Sequence, residues 1–397
     1  VRRGLRLIDD GALDDGNVET LAESLGVTSR HLRRLFTTHV GASPLAVAHT
    51  RRLHFAKRLI DDTALPMTHV AIAAGYGSVR RFNDTFRKTY GRAPRELRRL
   101  QPGPTAAAAE LSVELSYREP YSWFDVLNFY GLRATPGVES IADGRYRRTL
   151  AFAGQPAVIE VREHTVPGKL LLSVSGVPAE RLFEVVQKTR EVFDLDAPVH
   201  DINAALRKDT RLRALLRQRP GVRVPGAWHG FELAVRAVLG QQISVRAATT
   251  LAGRIAARYG TPLPQPQPGL THLFPTPAQL RRARFNKIGL VRSRAQTLRD
   301  LAAAVDDGDI SFDALQDEQE FCARLCKLKG IGDWTAQYVL MRALKHPDAL
   351  PVGDLGLVKA LFAERRATPS ELLARSEHWR PWRAYAAMLL WGAAPGG

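Results

Sequence analysis

LCKLKGIGDWTAQYVLMRALKHPDALPVGDLGLVKALFA, residues 325 to 363, is the stretch around which the rest of the chain has to be read. Apolar spacing up to Leu328 marks the end of a helix, Gly330-Ile331-Gly332 is too short and flexible to be anything but a turn, and helical periodicity resumes from Trp334 to Leu344. The pattern predicts a helix-hairpin-helix. Two glycines let the backbone approach a partner closely, and the free N–H groups opening the second helix offer a phosphate a docking point without any basic side chain. Gly330, Gly332 and Thr335 are therefore candidate contacts to a DNA backbone. About twenty residues on, Pro351-Val352-Gly353 leads into Asp354 and then the apolar-periodic Leu355, Val358, Leu361 and Phe362, which places Asp354 at the N-cap of a further helix.

Composition narrows the class of partner. The chain has 397 residues, enough for two to four domains with cores of their own, and a formal net charge of +17 that points to a polyanion. No apolar run approaches membrane-spanning length and no signal peptide opens the chain, so a cytoplasmic, nucleoid-associated protein without a membrane partner is expected. The only cysteines are Cys322 and Cys326, four apart on one predicted helix, which excludes a disulfide scaffold and a four-cysteine zinc or iron–sulfur site within the chain. The eleven histidines show no paired-ligand spacing, and no zinc is expected.

Residues 1 to 100 carry 18 basic against 10 acidic side chains, nearly half of the net charge in a quarter of the length. Val18 to Leu25, the turn Gly26-Val27-Thr28 and the helix Ser29 to His39 form a helix-turn-helix pattern that presents Arg30, Arg33 and Arg34 while Leu32, Leu35 and Phe36 turn inward. The pattern recurs. Met67 to Ala74, Gly75-Tyr76-Gly77 and Ser78 to Thr89 expose Arg80, Arg81, Asn83 and Arg87. Gln101 to Ala109 is a Pro/Gly/Ala linker, which places a domain boundary at 101–110. Beyond it, strands are predicted at 111–117, 144–152, 158–162 and 169–175, with helices at 123–130 and 180–191, a small α+β unit over 111–200. From Ile202 onward nearly everything reads as helix, interrupted by a proline-rich loop from Thr261 to Pro277. The fold class expected is mainly α: a double helix-turn-helix domain, a small α+β domain, then an all-α helix-hairpin-helix domain over 201–397.

The ending Tyr90-Gly91-Arg92-Ala93-Pro94-Arg95-Glu96-Leu97-Arg98, after Ala74-Gly75-Tyr76 and the Phe82, Phe86 pair, resembles the AraC/XylS family of DNA-binding domains and implies promoter DNA as the partner of residues 1–100. The opening Arg3-Gly4-Leu5-Arg6-Leu7-Ile8-Asp9 is similar to the lead-in to the second domain of Ada adaptive-response proteins, in which a cysteine-rich zinc domain that accepts methyl groups comes first. The chain as given holds no such cysteines, so it is expected to be a fragment of a longer protein and, as given, unable to take methyl groups by the four-cysteine route.

The hairpin followed by Asp354 resembles the HhH-GPD superfamily of DNA glycosylases, and this likeness makes Asp354 the catalytic carboxylate. Bifunctional members carry a Schiff-base lysine where this chain has Trp334, so imine-based strand cleavage is not expected. The strings GIGDWTAQY, WRPWRAY (379–385) and PYSWFDVLNFYGLRATPGVESIADGRYRRT (120–149) are similar to the AlkA type of 3-methyladenine DNA glycosylase. That resemblance implies a base pocket walled by Phe129 with Trp334, Tyr338 and Trp382, and a wedge in the Gly240-Gln241-Gln242 interruption. The wedge is an apolar leucine in that family. Here Gln242 or its neighbour Ile243 fills the role. Leu355 stands beside the aspartate where an aromatic is found in the family, so a different substrate range is expected. The carbonyls of Cys326, Leu328 and Gly330 are implied as a seat for a monovalent cation, and no other cofactor is called for.

Bases methylated at N3 or N7 are cationic good leaving groups, which suits a single carboxylate and aromatic faces. The function expected is monofunctional excision of alkylated bases such as 3-methyladenine and 7-methylguanine from double-stranded DNA, in base excision repair. A competing expectation is an adaptive-response regulator whose glycosylase-like half only senses lesions. A bifunctional oxidised-base enzyme is disfavoured by Trp334.

Overall fold

The structure, a computed structural model, describes residues 1–9, 12–13, 17–62, 65–100, 111–312, 317–362 and 368–393. The linker expected at 101–110 lies outside them. The chain forms two compact units, each drawn from separated stretches: Val1–Leu115, Ala151–Glu160 and Leu171–Thr189 in one, and Ser116–Leu150, Val161–Leu170 and Arg190–Gly397 in the other.

In the first unit both expected helix-turn-helices are present, as Val18–Ser24 with Ser29–Val40 and as Met67–Ala73 with Val79–Tyr90. Their second helices start and stop by the same local chemistry. Thr28 and Ser78 accept the N–H groups of His31 and Arg81, each at 3.2 Å, and Gly41 and Gly91 close the helices at φ +77° and +71°. Leu32, Phe36, Phe82 and Phe86 are buried, whereas Arg30, Arg33, Arg34, Arg80, Arg81 and Arg87 are exposed and Asn83 is half-buried. The helix Pro44–Asp62 joins the two motifs, and its Phe55 meets Phe183 edge-on at 4.4 Å while Arg51 lies 4.0 Å over the same ring.

The strands are β1 (Leu111–Ser116), β2 (Glu139–Ala142), β3 (Arg145–Phe152), β4 (Gln155–Glu163) and β5 (Lys169–Ser175), in the sheet order β1-β5-β4-β3-β2, and β6 (Thr261–Gln267) with β7 (Leu270–Leu273). The short β2 was not anticipated. Nor was β6–β7, which occupies the stretch expected to be a loop. It pairs antiparallel with Pro262 opposite His272.

In the second unit, helices Gly230–Leu239, Val245–Tyr259, Arg292–Asp306, Glu318–Cys326, Asp333–Ala343, Leu355–Phe362 and Arg383–Ala393 enclose an apolar core that includes Leu298, Phe321, Val339, Leu357, Trp379 and Leu390. One polar knot is built into this unit. Arg148 on β3 lies 3.1 Å from Glu139 on β2 and also pairs with Glu232, and all three side chains are buried. Among the described residues no helix is long and apolar enough to cross a membrane.

Candidate active site

The helix Glu318–Cys326 runs into the hairpin, and Gly330 adopts φ +94°. A Cβ there would stand 2.3 Å from Thr297 Oγ1, whose hydroxyl donates to Lys329 O at 2.8 Å, so both conformation and space demand glycine. Gly332 differs. It is the N-cap of Asp333–Ala343 at φ −106°, with no side-chain cap, and a Cβ would meet nothing within 4 Å. The first turn of this helix is thus open to an approaching anion.

Thr335 does not take the surface role expected of it. Its side chain is buried and its hydroxyl accepts Gln241 Nε2 at 3.1 Å, because position 335 falls on the inward face with Ala336 and Val339. Gln241 Nε2 also donates to Gly330 O at 2.8 Å, and Gln241 O receives Arg294 Nη2 at 2.6 Å. The loop between Gly230–Leu239 and Val245–Tyr259 is thereby laced to the hairpin. Of the two wedge candidates on it, Gln242 is exposed at φ +58°, while Ile243 is half-buried against the core.

Asp354 precedes the helix Leu355–Phe362 and its Oδ1 accepts the Leu357 N–H at 2.9 Å. Two indoles complete its setting: Trp334 Nε1 donates to Oδ2 at 3.0 Å and Trp391 Nε1 to Oδ1 at 3.1 Å. A Cβ at Gly356 would lie 2.9 Å from Oδ1, so the glycine leaves the carboxylate its room. Trp391 was not singled out from sequence. On the apolar helix Arg383–Ala393 an indole looks like core, and no local spacing links it to a carboxylate 37 residues earlier. Leu355 is 71% exposed, at the surface next to Asp354.

Trp334 and Tyr338 stack with centroids 5.4 Å apart and planes within 5°, and Trp391 meets Tyr338 at 6.1 Å and 62°. Trp382 instead packs on Tyr385 at 5.8 Å and 77°. Among the described residues it makes no ring contact with the Trp334–Tyr338 stack, and Trp391 takes the place expected for it. Phe129 is not a free aromatic wall either. Arg133 lies 4.0 Å and Arg342 4.7 Å over its ring, so its attraction for cations is already engaged within the protein. Arg342 is buried, donates to Tyr338 Oη at 2.6 Å and is anchored on the carbonyls of Pro225 and Gly226 at 2.8 and 2.9 Å. Burial by itself would raise the Tyr338 pKa, but the positive charges of Arg342 and Arg133 outweigh it and hold the phenol below its usual value.

Burial, with the negative charge of Asp333, pushes the Cys322 thiol up to about 11, so Cys322 stays protonated and is no nucleophile at neutral pH. Among the described residues no three His, Cys, Asp or Glu side chains gather as metal ligands. Of the three carbonyls implied as a cation seat, Leu328 O accepts Ile331 N–H at 3.0 Å and Gly330 O accepts Gln241 Nε2 at 2.8 Å. A carbonyl has two lone pairs, so both oxygens retain one, and neutral backbone oxygens fit a weakly bound monovalent cation.

Residues 235–383 match the HhH-GPD superfamily of base excision DNA repair proteins, residues 112–229 the AlkA N-terminal domain, and residues 21–100 a helix-turn-helix domain. The chain is 39% identical over 400 residues, 98% of its own length and 79% of the relative's, to a probable bifunctional transcriptional activator/DNA repair enzyme AlkA of Mycobacterium tuberculosis. It is 34% identical over 284 residues to DNA-3-methyladenine glycosylase 2 of Escherichia coli, covering 70% of this chain and 95% of that protein. A solved 3-methyladenine DNA-glycosylase from Archaeoglobus fulgidus shares its fold, with a TM-score of 0.62 at 22% identity over 70% of this chain and 96% of the other.

Proposed function

The chain belongs to the AlkA-type 3-methyladenine DNA glycosylases of the HhH-GPD superfamily, joined to an AraC-type helix-turn-helix domain, and on that premise we propose that Asp354 alone drives base release. The protein is a DNA glycosylase for alkylated bases such as 3-methyladenine and 7-methylguanine. A base inside a duplex is out of reach, so the damaged nucleotide is extruded at a cost of a few kcal/mol, lowest for bases that stack and pair poorly. Gln242, projecting from a loop tied to the hairpin, fills the gap in the stack. Gly330 and Gly332 bring the backbone close to the flanking phosphate, which meets the open first turn of Asp333–Ala343.

The extruded base enters beside Trp334, Tyr338 and Trp391. As the N-glycosidic bond breaks, positive charge develops on the sugar and the Asp354 carboxylate stabilises it and positions water. The two indoles and the Leu357 N–H aim that carboxylate. With Trp334 in the place of a lysine no imine forms, so the enzyme is monofunctional, without lyase activity. A monovalent cation on the carbonyls of Cys326, Leu328 and Gly330 would stiffen the hairpin. Arg30, Arg33, Arg34, Arg80, Arg81, Asn83 and Arg87 are the contacts of residues 1–100 to promoter DNA.

The observation that supports this most is a single carboxylate held by two indoles at the edge of an aromatic stack. The test is to incubate the protein with methylated duplex DNA and count released 3-methyladenine, 7-methylguanine and abasic sites. Asp354→Asn is expected to lose on the order of 100-fold or more in release, as when one charge-stabilising group is removed elsewhere. Equal release by wild type and variant would overturn the mechanism, and strand cleavage at the abasic site would overturn monofunctionality.

A further inference from the structure

Positions 334, 338 and 342 stand one turn apart on one face of the helix Asp333–Ala343. Trp334 and Tyr338 line the place of the extruded base, whereas Arg342 has no part in the chemistry derived above. Arg342 is buried and its fork is bound at three nitrogens: Nε donates to Pro225 O at 2.8 Å, Nη2 to Gly226 O at 2.9 Å and Nη1 to Tyr338 Oη at 2.6 Å. All three acceptors are neutral oxygens. A charge buried against neutral partners is held at a cost, so filling the core does not account for an arginine here.

The same guanidinium stands between two walls of the pocket. It lies 4.7 Å over the ring of Phe129, on the helix Trp123–Gly131, and 5.5 Å from the ring of Tyr338. Among the described residues those two rings make no direct ring contact with each other. The carbonyls of Pro225 and Gly226 belong to the segment before the helix Gly230–Leu239, so Arg342 is fixed to backbone outside its own helix. A planar fork cannot turn one nitrogen without moving the others. From this anchor an unbroken series of contacts reaches the carboxylate. Arg342 holds Tyr338 Oη, the Tyr338 ring stacks on Trp334 at 5.4 Å with planes within 5°, and Trp334 Nε1 donates to Asp354 Oδ2 at 3.0 Å.

We infer that Arg342 is a positioning residue for base release: anchored on Pro225 and Gly226, it fixes Tyr338 against Trp334 and thereby the indole that aims Asp354. This rests on the glycosylase function proposed above. Arg342 acts through Tyr338 and Trp334 and not by contact with the base. Its hold on Tyr338 is also legible in the phenol. Burial raises the Tyr338 pKa, and the charges of Arg342, Arg133 and Arg236, that of Arg342 foremost, bring it below its usual value.

The test compares the full chain with Arg342→Met, which keeps an unbranched stem and removes the fork, and with Arg342→Lys. The lysine keeps the charge but, as a single point donor, cannot hold the phenol and both carbonyls at once. Single-turnover release of 7-methylguanine from duplex DNA is expected to fall on the order of 100-fold in Arg342→Met, as for a misplacement of about 1 Å at a reacting centre. Affinity for a duplex carrying an abasic site, which leaves the base pocket empty, is expected to stay within about threefold, because the loss is confined to the transition state. Two NMR signals report the contacts directly. The Trp334 indole N–H resonance is expected to shift in both variants, and the Tyr338 ionisation to move up in Arg342→Met and stay depressed in Arg342→Lys, whose release remains well below wild type. Wild-type release by either variant, a parallel fall in abasic-duplex affinity, or an unmoved Trp334 resonance would each overturn the inference. If Arg342→Met fails to fold, Arg342→Lys decides by the same release, affinity and resonance measurements. A wild type that releases no base would instead overturn the glycosylase function, and the two NMR signals would still decide the contacts.

Discussion

A methyl group added at Gly330 would sit 2.3 Å from Thr297 Oγ1 on a backbone at φ +94°, whereas one added at Gly332 meets nothing within 4 Å at φ −106°. Gly330→Ala is therefore expected to cost about 1–3 kcal/mol in stability, and Gly332→Ala less than about 0.5 kcal/mol. Thermal unfolding separates the two. Gly332→Ala should nevertheless weaken binding to duplex DNA, because its methyl group would stand where the backbone is open to a phosphate. The two glycines are indistinguishable as letters, and their difference comes from Thr297, a residue 33 positions before Gly330. Asp354 was legible as an N-cap from its neighbours. Its two indole donors were not equally so, since Trp334 lies within the hairpin string and Trp391 lies six residues beyond the end of WRPWRAY.

Helix ends were read well wherever their chemistry is local. Thr28, Ser78 and the glycines at 41 and 91 stand within one turn of the ends they define. The β6–β7 ribbon escaped because proline is a poor strand residue. Pro262, Pro264 and Pro266 alternate, however, so the missing N–H groups fall on one edge of β6, and a two-stranded ribbon leaves one edge unpaired. Another element has a local cap that distant side chains hold in place. Asp209 accepts the N–H groups of Arg211 and Leu212 at 2.8 and 3.1 Å to start Thr210–Gln218, and also binds Arg375 Nε at 2.9 Å and Trp379 Nε1 at 3.2 Å. Burial pushes its pKa up, but these bonds, that from Arg375 foremost, prevail and hold the carboxyl below its ordinary value. A depressed carboxylate stabilises the fold above its unfolded pKa, and that stabilisation is lost as pH falls through the folded value. Asp209→Asn should therefore cost about 1–3 kcal/mol at pH 7, with the gap to wild type closing as pH falls below about 4. Urea unfolding at a series of pH values checks this, and a gap independent of pH would refute it.

At the scale of the whole molecule, the second unit carries its charge inside as well as outside. Arg148 bridges two buried carboxylates, Glu139 on β2 and Glu232 on the helix Gly230–Leu239, with the charge of Arg236 also acting on both. Removing the arginine leaves the two carboxylates with only the charge of Arg236 between them in a medium that solvates charge poorly. Arg148→Met is expected to lower stability by roughly 3–5 kcal/mol, read as a lower denaturant midpoint. A midpoint unchanged from wild type would mean that solvent reaches the pair. The net charge of +17 pointed to a polyanionic partner without revealing this interior arrangement, because composition counts charges and is blind to where they are placed.

The sequence by itself determined most of the helices, the strands β1, β3, β4 and β5, the two helix-turn-helices, the hairpin and the position of Asp354. Each of these is written in periodicity, caps and glycine spacing over a span of about twenty residues or fewer. The tertiary structure alone decided that Trp391 holds Asp354, that Arg342 and Arg133 surround Tyr338 and Phe129, that Thr335 faces inward, and that Gln241 ties its loop to Gly330. Most of these contacts join residues far apart in the chain, and even those within one helix depend on which face that helix turns to the core. That choice is made by how the helices pack and not by any local repeat.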